Sequence, residues 1–331
     1  MPRDQGFLTE NMQSEGAANS MKFYFAPMEG LTGYVYRNAH HAFFGGVDKY
    51  FSPFIAANQS ERFTTRELND VLPEHNQGIT LVPQILTNDA ADFIHTARKL
   101  EQFGYSEINL NLGCPSGTVV AKNRGAGFLS QRDKLDSFLD QIFAHATTKI
   151  SVKTRIGKDQ PEEFSKLIEI FNKYPMEELI IHPRIQKDFY KNTPNWKVFA
   201  EGLAASRNPV CYNGDLFSVA DYEAFSVAFP DVKTVMIGRG LLANPGLINN
   251  IANQTKLDKM LLREFHDRIY EGYKSTLSGD KNVLYKMKEL WIYLGSSFAD
   301  SAKYIKKIKK SDRLSDYEDA VSRLFCEQDV L

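Results

Sequence analysis

The chain has 331 residues, 43% of them hydrophobic and 24% charged, with 40 Lys and Arg against 41 Asp and Glu. That composition excludes a disordered or fibrous chain, and the near-zero net charge gives no global sign of a nucleic-acid partner. Three scattered cysteines without a CxxC pair argue against a disulfide framework or a zinc site and for a reducing cytoplasm, and no apolar run approaches the ~20 residues of a membrane span.

Residues 1–20 are polar, lack an apolar signal core and end before Met21. They are expected to be a disordered leader, with Met21 as the natural start. Eight β-like runs then recur, at 22–28, 48–54, 79–86, 106–112, 149–154, 178–183, 209–213 and 233–238. Helical patterns separate most of them. Thr32 is placed to cap a helix running to Phe44, Asn88-Asp89 opens 90–103, and Ser130 is placed to cap 131–146. Strand and helix alternating eight times over some 220 residues is the signature of an α/β fold of the (β/α)8 TIM-barrel type. A doubly wound open sheet is the runner-up, because periodicity does not prove closure. From about 257 the β-branched runs thin out and amphipathic helical patterns continue to 331. The predicted organisation is a leader at 1–20, a barrel at 21–256 and a small all-helical domain at 257–331. Within the last, Lys303, Lys306, Lys307, Lys309 and Lys310 surround apolar residues and give one basic face.

Barrel active sites are built at the C-terminal ends of strands. There the chain places Pro27, Met28 and Glu29 after the first strand, Gln84 in the third, and Asn111 and Cys114 at the fourth. The fifth supplies Lys153 and Arg155, the sixth His182 and Arg184. The seventh ends in Asn213-Gly214-Asp215 and the eighth in Gly238-Arg239-Gly240. Polar groups in apolar runs are costly unless they meet partners, so their recurrence at corresponding ends suggests one shared pocket.

Barrels commonly bind phosphate with the loops after strands 7 and 8. Glycine leaves backbone N–H groups unobstructed, and Arg239 can make paired bonds to phosphate. Lys153, inside a strand, must either snorkel outward or meet an anion; a cation near N1 of a flavin stabilises its anionic reduced form. Gln84 offers a donor and an acceptor, which suits the edge of an isoalloxazine or a uracil-like ring. His182 fits a flavin contact, an acid or a satisfied barrel histidine. Cys114 lies on a Gly- and Pro-built loop, as either a structural thiol or a reactive one. No metal-ligand spacing is present, and no metal is expected.

Taken in order, Ala26-Pro27-Met28-Glu29-Gly30-Leu31-Thr32, Asn111-Leu112-Gly113-Cys114-Pro115, Val152-Lys153-Thr154-Arg155, Ile181-His182-Pro183-Arg184, Asn213-Gly214-Asp215 and Ile237-Gly238-Arg239-Gly240 resemble the tRNA-dihydrouridine synthases. These are FMN-dependent barrels with a C-terminal helical domain. The resemblance covers roughly Met21 to the end, more weakly in the helical tail, and its specific element is the Asn-x-Gly-Cys-Pro loop. It implies that Pro27, Met28 and Glu29 lie against the flavin, that Gln84 and Lys153 bind its ring edge with His182 close by, and that Asn213, Gly214, Asp215, Gly238 and Arg239 hold its phosphate end. It implies that Asn111 orients a target uracil and that Cys114 is the general acid, protonating C5 after hydride reaches C6. Arg155, Arg184, Lys306 and Lys307 are expected to meet the substrate.

The implied reductant is NADPH or NADH, the implied partner is tRNA, and a cytoplasmic monomer without membrane or metal is expected. Three departures bear on substrate contacts: Pro183 where the family often has Gly, Gly33 where Asp is frequent, and 116–120 where a basic stretch is usual. An FMN barrel reducing a small enone or a free pyrimidine accounts equally for the Gly-Arg loops and Lys153, but not for the basic tail. A non-catalytic tRNA-binding barrel is the reading from another class.

Overall fold

Alternation within each strand run decides which residues fill the barrel and which face the helices. In the computed structural model, which describes residues 21–57 and 62–331, eight parallel strands close in chain order. They are β1 (Lys22–Phe25), β2 (Lys49–Ala56), β3 (Leu81–Leu86), β4 (Glu107–Leu112), β5 (Lys149–Gly157), β6 (Leu179–Ile185), β7 (Val210–Asn213) and β8 (Thr234–Ile237). Pairing of β1 with β8, Phe25 opposite Ile237, completes the ring. The open-sheet alternative is thereby excluded. The leader expected at 1–20 lies outside the described residues.

Successive residues of a strand point to opposite faces. Phe25, Ile85, Leu110, Val152, Ile181, Tyr212 and Ile237 pack outward in the core shared with the helices. Their neighbours Tyr24, Ala26, Phe51, Val82, Ile180, Cys211 and Met236 form a separate apolar cluster inside the barrel. Two residues further along the inward face come Gln84, His182, Asn213 and Gly238. Apolar filling thus gives way to polar groups toward the C-terminal mouth. At the opposite end the barrel is plugged by Lys49, which pairs with Glu107 at 2.6 Å, and by Glu178, which accepts from Tyr24 Oη at 3.4 Å.

Two of the three predicted caps act differently from expectation. Asp89 does cap its helix, accepting from Asp92 N at 2.9 Å. The helix Tyr34–Phe43 instead begins after Gly33 with no side-chain cap, because the Thr32 hydroxyl is engaged by Met28 N at 2.8 Å. Ser130 likewise donates back to Gly127 O, and the helix Arg132–His145 starts after Gln131.

Beyond the barrel strands the chain continues as the helices Lys259–Thr276, Asp280–Leu294, Ala302–Lys310 and Leu314–Glu327. Their core is aromatic: Trp291 Nε1 donates to Tyr317 Oη at 2.8 Å, and that oxygen lies 2.6 Å from His266 Nε2. The first of these helices presses on Tyr34–Phe43 so closely that a Cβ at Gly272 would lie 2.6 Å from Val35 Cγ1. The second ties to the barrel mouth, where Lys286 Nζ donates to Gly30 O at 2.6 Å. No helix among the described residues is long and apolar enough to cross a membrane.

Candidate active site

The strand register brings the polar residues of neighbouring strands level: Gln84 is opposite Asn109, Asn111 opposite Lys153, and Arg155 opposite His182. The result is a buried relay. Gln84 Nε2 donates to Asn109 Oδ1 at 2.7 Å, and Asn109 Nδ2 donates to Ser151 Oγ at 3.0 Å. Asn111 Nδ2 donates to Gln84 Oε1 at 2.7 Å. The Asn111 carbonyl oxygen accepts from the backbone N–H groups of both Gly113 and Cys114, at 3.0 and 2.9 Å. Asn111 therefore holds the cysteine loop, and one N–H of its amide remains for a ligand.

Cys114 is half-buried beside Gln84, Asn111, Lys153 and Arg155 in a cleft of about 220 Å3. Burial pushes its thiol above the usual range, opposing smaller effects from Arg155 and Lys153. A thiol so shifted keeps its proton at neutral pH. The loop returns over it so tightly that a Cβ at Gly125 (φ 55°) would lie 2.8 Å from Cys114 O.

Lys153 projects into the same cleft. No described residue gives its ammonium a hydrogen bond or a carboxylate, and burial lowers its pKa to about 8, helped by Arg155. An unneutralised cation in such a place is a ready seat for an anion. His182 is buried, and burial followed by the charges of Arg155 and Lys153 holds its pKa well below normal. Arg184 Nη1 lies 3.0 Å from His182 Nε2. Since arginine can only donate, that nitrogen is the acceptor and Nδ1 carries the hydrogen of a neutral ring.

Arg155 and Arg184, expected at the substrate, are each only 1% exposed. Arg155 donates to the carbonyls of Gly113, Ile185 and Phe189 at 3.0, 2.8 and 2.7 Å. It clamps the cysteine loop to the loop after β6. Arg184 forks onto Asp215, Nη1 reaching Oδ1 at 2.9 Å, with a second bond between Nη2 and Oδ2. Both guanidiniums hold loops in place, and Arg155 also lines the cleft with two of its five N–H donors outside these bonds. Asp215, expected at a phosphate, also takes Arg239 Nη2 at 2.5 Å. Asp215 thus stands between Arg184 and Arg239 at the wall of the cavity that Arg239 lines.

Arg239 lies in a smaller cavity of about 50 Å3, bounded by Asn213, Gly214 and Gly238. A Cβ at Gly214 would sit 1.9 Å from Tyr212 Oη, and one at Gly238 would crowd the cavity-lining Ala26 Cβ and Met28 Sδ at 3.2 and 3.4 Å. Asn213 is braced by a bond to Met236 O at 2.7 Å. The two cavities share walls of Pro27, Met28, Lys153, His182 and Tyr190. A phosphate-sized recess beside Arg239, leading to a cleft with the lone Lys153, suits an elongated anionic cofactor such as a flavin nucleotide. Both the unneutralised Lys153 and the recess beside Arg239 fit such a group.

Four participants have no place in the sequence expectations. Tyr190 separates the two cavities, with the Arg239 guanidinium 4.5 Å over its ring, on a loop where Phe189 holds φ 49°. Phe217 flanks Arg239 from the other side at 5.2 Å. Both follow closely on strand ends, a signal that an aromatic in a loop after His182 or Asp215 could have given. Tyr293 reaches the cleft from the helix Asp280–Leu294, and Arg66 pairs with Glu29 at 2.5 Å. Lys306 and Lys307 are elsewhere. With Lys303, Lys310 and Arg323 they line a separate open cavity of about 660 Å3 that also contains Asp316 and Asp319. Among the described residues no group of three or more His, Cys, Asp or Glu is placed to hold a metal ion.

A family model described as dihydrouridine synthase matches residues 24–328. Similar curated proteins include a tRNA-dihydrouridine(16) synthase of Cupriavidus necator, 29% identical over 68% of this chain and 72% of that protein. Another of that description from Pseudomonas syringae pv. tomato is 26% identical over 73% and 78%. Solved structures of low identity share the fold alone: morphinone reductase in complex with tetrahydroNAD superposes with a TM-score of 0.52 at 10% identity, covering 72% of this chain and 88% of that one.

Proposed function

The chain belongs to the dihydrouridine synthase family, and we propose that it reduces one uridine of a tRNA to 5,6-dihydrouridine. FMN is the cofactor and NADPH or NADH the reductant. The observation that carries the reading is the protonated, half-buried Cys114 thiol sharing one cleft with Lys153 and Gln84. Bound FMN supplies the hydride that C6 of the pyrimidine receives.

The protein's own part is to bind, orient and protonate. Lys153 neutralises the anionic ring edge, Gln84 offers that edge its remaining hydrogen-bonding capacity, and Pro27, Met28 and Glu29 lie along the ring. Neutral His182 keeps an N–H at Nδ1 beside it. Arg239, with Asn213, Gly214 and Gly238, holds the phosphate, while Asp215 and Arg184 fix Arg239. The target base leaves its stack to enter the cleft, where Asn111 meets it with the amide N–H left over from the loop. As hydride arrives at C6, the electron pair of the C5=C6 bond takes the proton from Cys114 Sγ. The S–H bond breaks, a C5–H bond forms, and the thiolate regains its proton from solvent.

In this reading 21–256 is the catalytic barrel, and 257–331 grips the RNA backbone through Lys306 and Lys307. The enzyme acts as a monomer in the cytoplasm. The decisive comparison is between wild type and Cys114→Ala. Both should show flavin absorbance and its bleaching by NADPH, but the variant should lose reduction of unmodified tRNA by about 10²–10⁴-fold. A protein that takes up no FMN, or a variant with full tRNA turnover, overturns the reading. Efficient turnover of free uridine or cyclohexenone instead of tRNA would identify a small-molecule reductase.

A further inference from the structure

Next to the catalytic cleft lies a second cavity that the chemistry above does not use. It has a volume of about 350 Å3 and opens between the barrel mouth and the helix Lys259–Thr276. Pro53 forms a wall of both spaces, and the turn Met28–Thr32 separates them. The volume lies within the range of small-ligand pockets, about 300–1,000 Å3.

Its lining combines apolar surface, an amide and two cations with the Asp70 carboxylate, which accepts from Tyr34 N at 2.7 Å and faces Arg37 at 3.7 Å. Tyr34 and Tyr273 supply aromatic surface, and Val35 and Leu277 aliphatic surface. The Asn69 side-chain amide, with no side-chain partner among the described residues, offers a donor and an acceptor. Arg66 and Lys286 stand at the side nearest the catalytic cleft. Arg66 pairs with Glu29 at 2.5 Å, and Lys286 donates to Gly30 O at 2.6 Å with Glu289 Oε2 at 4.0 Å; each makes one hydrogen bond, which leaves most of their N–H donors open. Aromatic walls, one amide and a pair of cations match the face, the edge and the phosphate of a nucleotide in an unpaired strand.

We propose that this cavity receives the nucleotide next to the target uridine, with Arg66 and Lys286 on the phosphate that links the two. The inference rests on the tRNA reading above. A strand that delivers one base past Pro53 carries its neighbour over the same rim, and the neighbour needs a place once it is unstacked. A free dinucleotide reductant is the competing occupant, and the test distinguishes it.

Thr276 is exposed at the cavity wall, near the end of its helix and away from the catalytic groups, so Thr276→Trp fills the space without touching the core. Asn69→Ala removes the amide. The substrates are the tRNA transcript whose reduced uridine has been located by mass spectrometry, and transcripts abasic at its 5′ or 3′ neighbour. Both variants are expected to raise KM for the intact transcript, Thr276→Trp by about tenfold, with kcat and KM for NADPH unchanged. One abasic transcript should show the same loss with wild type and no further loss with Thr276→Trp. Unmoved KM values for RNA in both variants, losses that simply add, or a raised KM for NADPH instead each overturn the assignment. Wild type that reduces no tRNA uridine removes the parent reading and this inference together, whereas wild-type turnover with unmoved variants removes the inference alone.

Discussion

Cys114 donates its backbone N–H to Asn111 Oδ1 at 2.9 Å, so the residue beside the thiol is also the one that sets where the thiol stands. Asn111 is itself fixed by Gln84 Oε1 at 2.7 Å, and the loop is anchored to the relay that crosses the barrel. Asn111→Ala removes the acceptor for two amides. A reacting group displaced by about 1 Å can lose roughly 10²-fold in rate. Transfer to tRNA is expected to fall on that order, with flavin content and NADPH oxidation unchanged. Stopped-flow separation of the two half-reactions checks this, and a variant with normal tRNA reduction would show that the loop holds its shape without Asn111.

Asp215 stands between two guanidiniums, and Arg184 is almost wholly buried. Removing one partner of a buried pair leaves an uncompensated charge, at a cost of about 3–5 kcal/mol. Because Asp215 itself is 28% exposed on its side chain, Asp215→Asn is expected at the lower end of that range. It should also weaken FMN binding, since Arg239 loses its anchor. Urea denaturation and flavin titration measure the two effects. Loss of flavin affinity with no loss of stability would mean that Asp215 touches the cofactor and carries no structural weight.

What was legible from sequence follows the physics of each signal. Strand alternation is local, so the eight runs and the inward positions of Gln84, Lys153 and His182 could be read from the chain. The cysteine loop could be read because Gly and Pro mark it. The loop contacts of Arg155 and Arg184 were not legible, because sequence shows that a guanidinium is present and only packing shows which carbonyls and carboxylates take its donors. Thr32 was a reasonable cap until Met28 N proved the nearer donor. Tyr293 and Arg66 come to the mouth from remote helices and carry no local mark at all.

Lys153 yields a pH dependence with a definite sign. Its pKa in the free protein is lowered to about 8, chiefly by burial, so it is charged below that pH and neutral above it. The ring edge of oxidised flavin presents hydrogen-bond acceptors and becomes anionic only on reduction, so it favours the charged lysine, and binding above pH 8 must take up a proton. FMN affinity is therefore expected to be flat below about pH 8 and to fall about tenfold per unit above it. Fluorescence titrations of FMN at a series of pH values measure this. Lys153→Met should bind more weakly, without the break near pH 8; a break that survives the substitution belongs to another group.

Glu178 carries the opposite kind of signature, in stability. It is 5% exposed at the closed end of the barrel, one of its oxygens has no partner, and burial raises its pKa to about 7 against the lowering effect of Lys49 and Tyr24. In the unfolded chain a glutamate titrates near 4.3. Between those values the folded protein holds the extra proton, so stability falls as pH rises from about 4.3 to about 7 and levels off above. At 1.36 kcal/mol per unit the loss is roughly 4 kcal/mol. His40, held at about 3 by burial, works the other way, because its unfolded form takes up protons below about 6.5 and stability rises with pH there. The two contributions overlap in any single curve. Comparing wild type with Glu178→Gln isolates the carboxyl, since a constant packing offset cancels in the difference. Urea unfolding at pH 5 and pH 8 should show the variant gaining on wild type by up to about 3 kcal/mol between the two. A difference that does not change with pH would mean that Glu178 stays in one protonation state across that range.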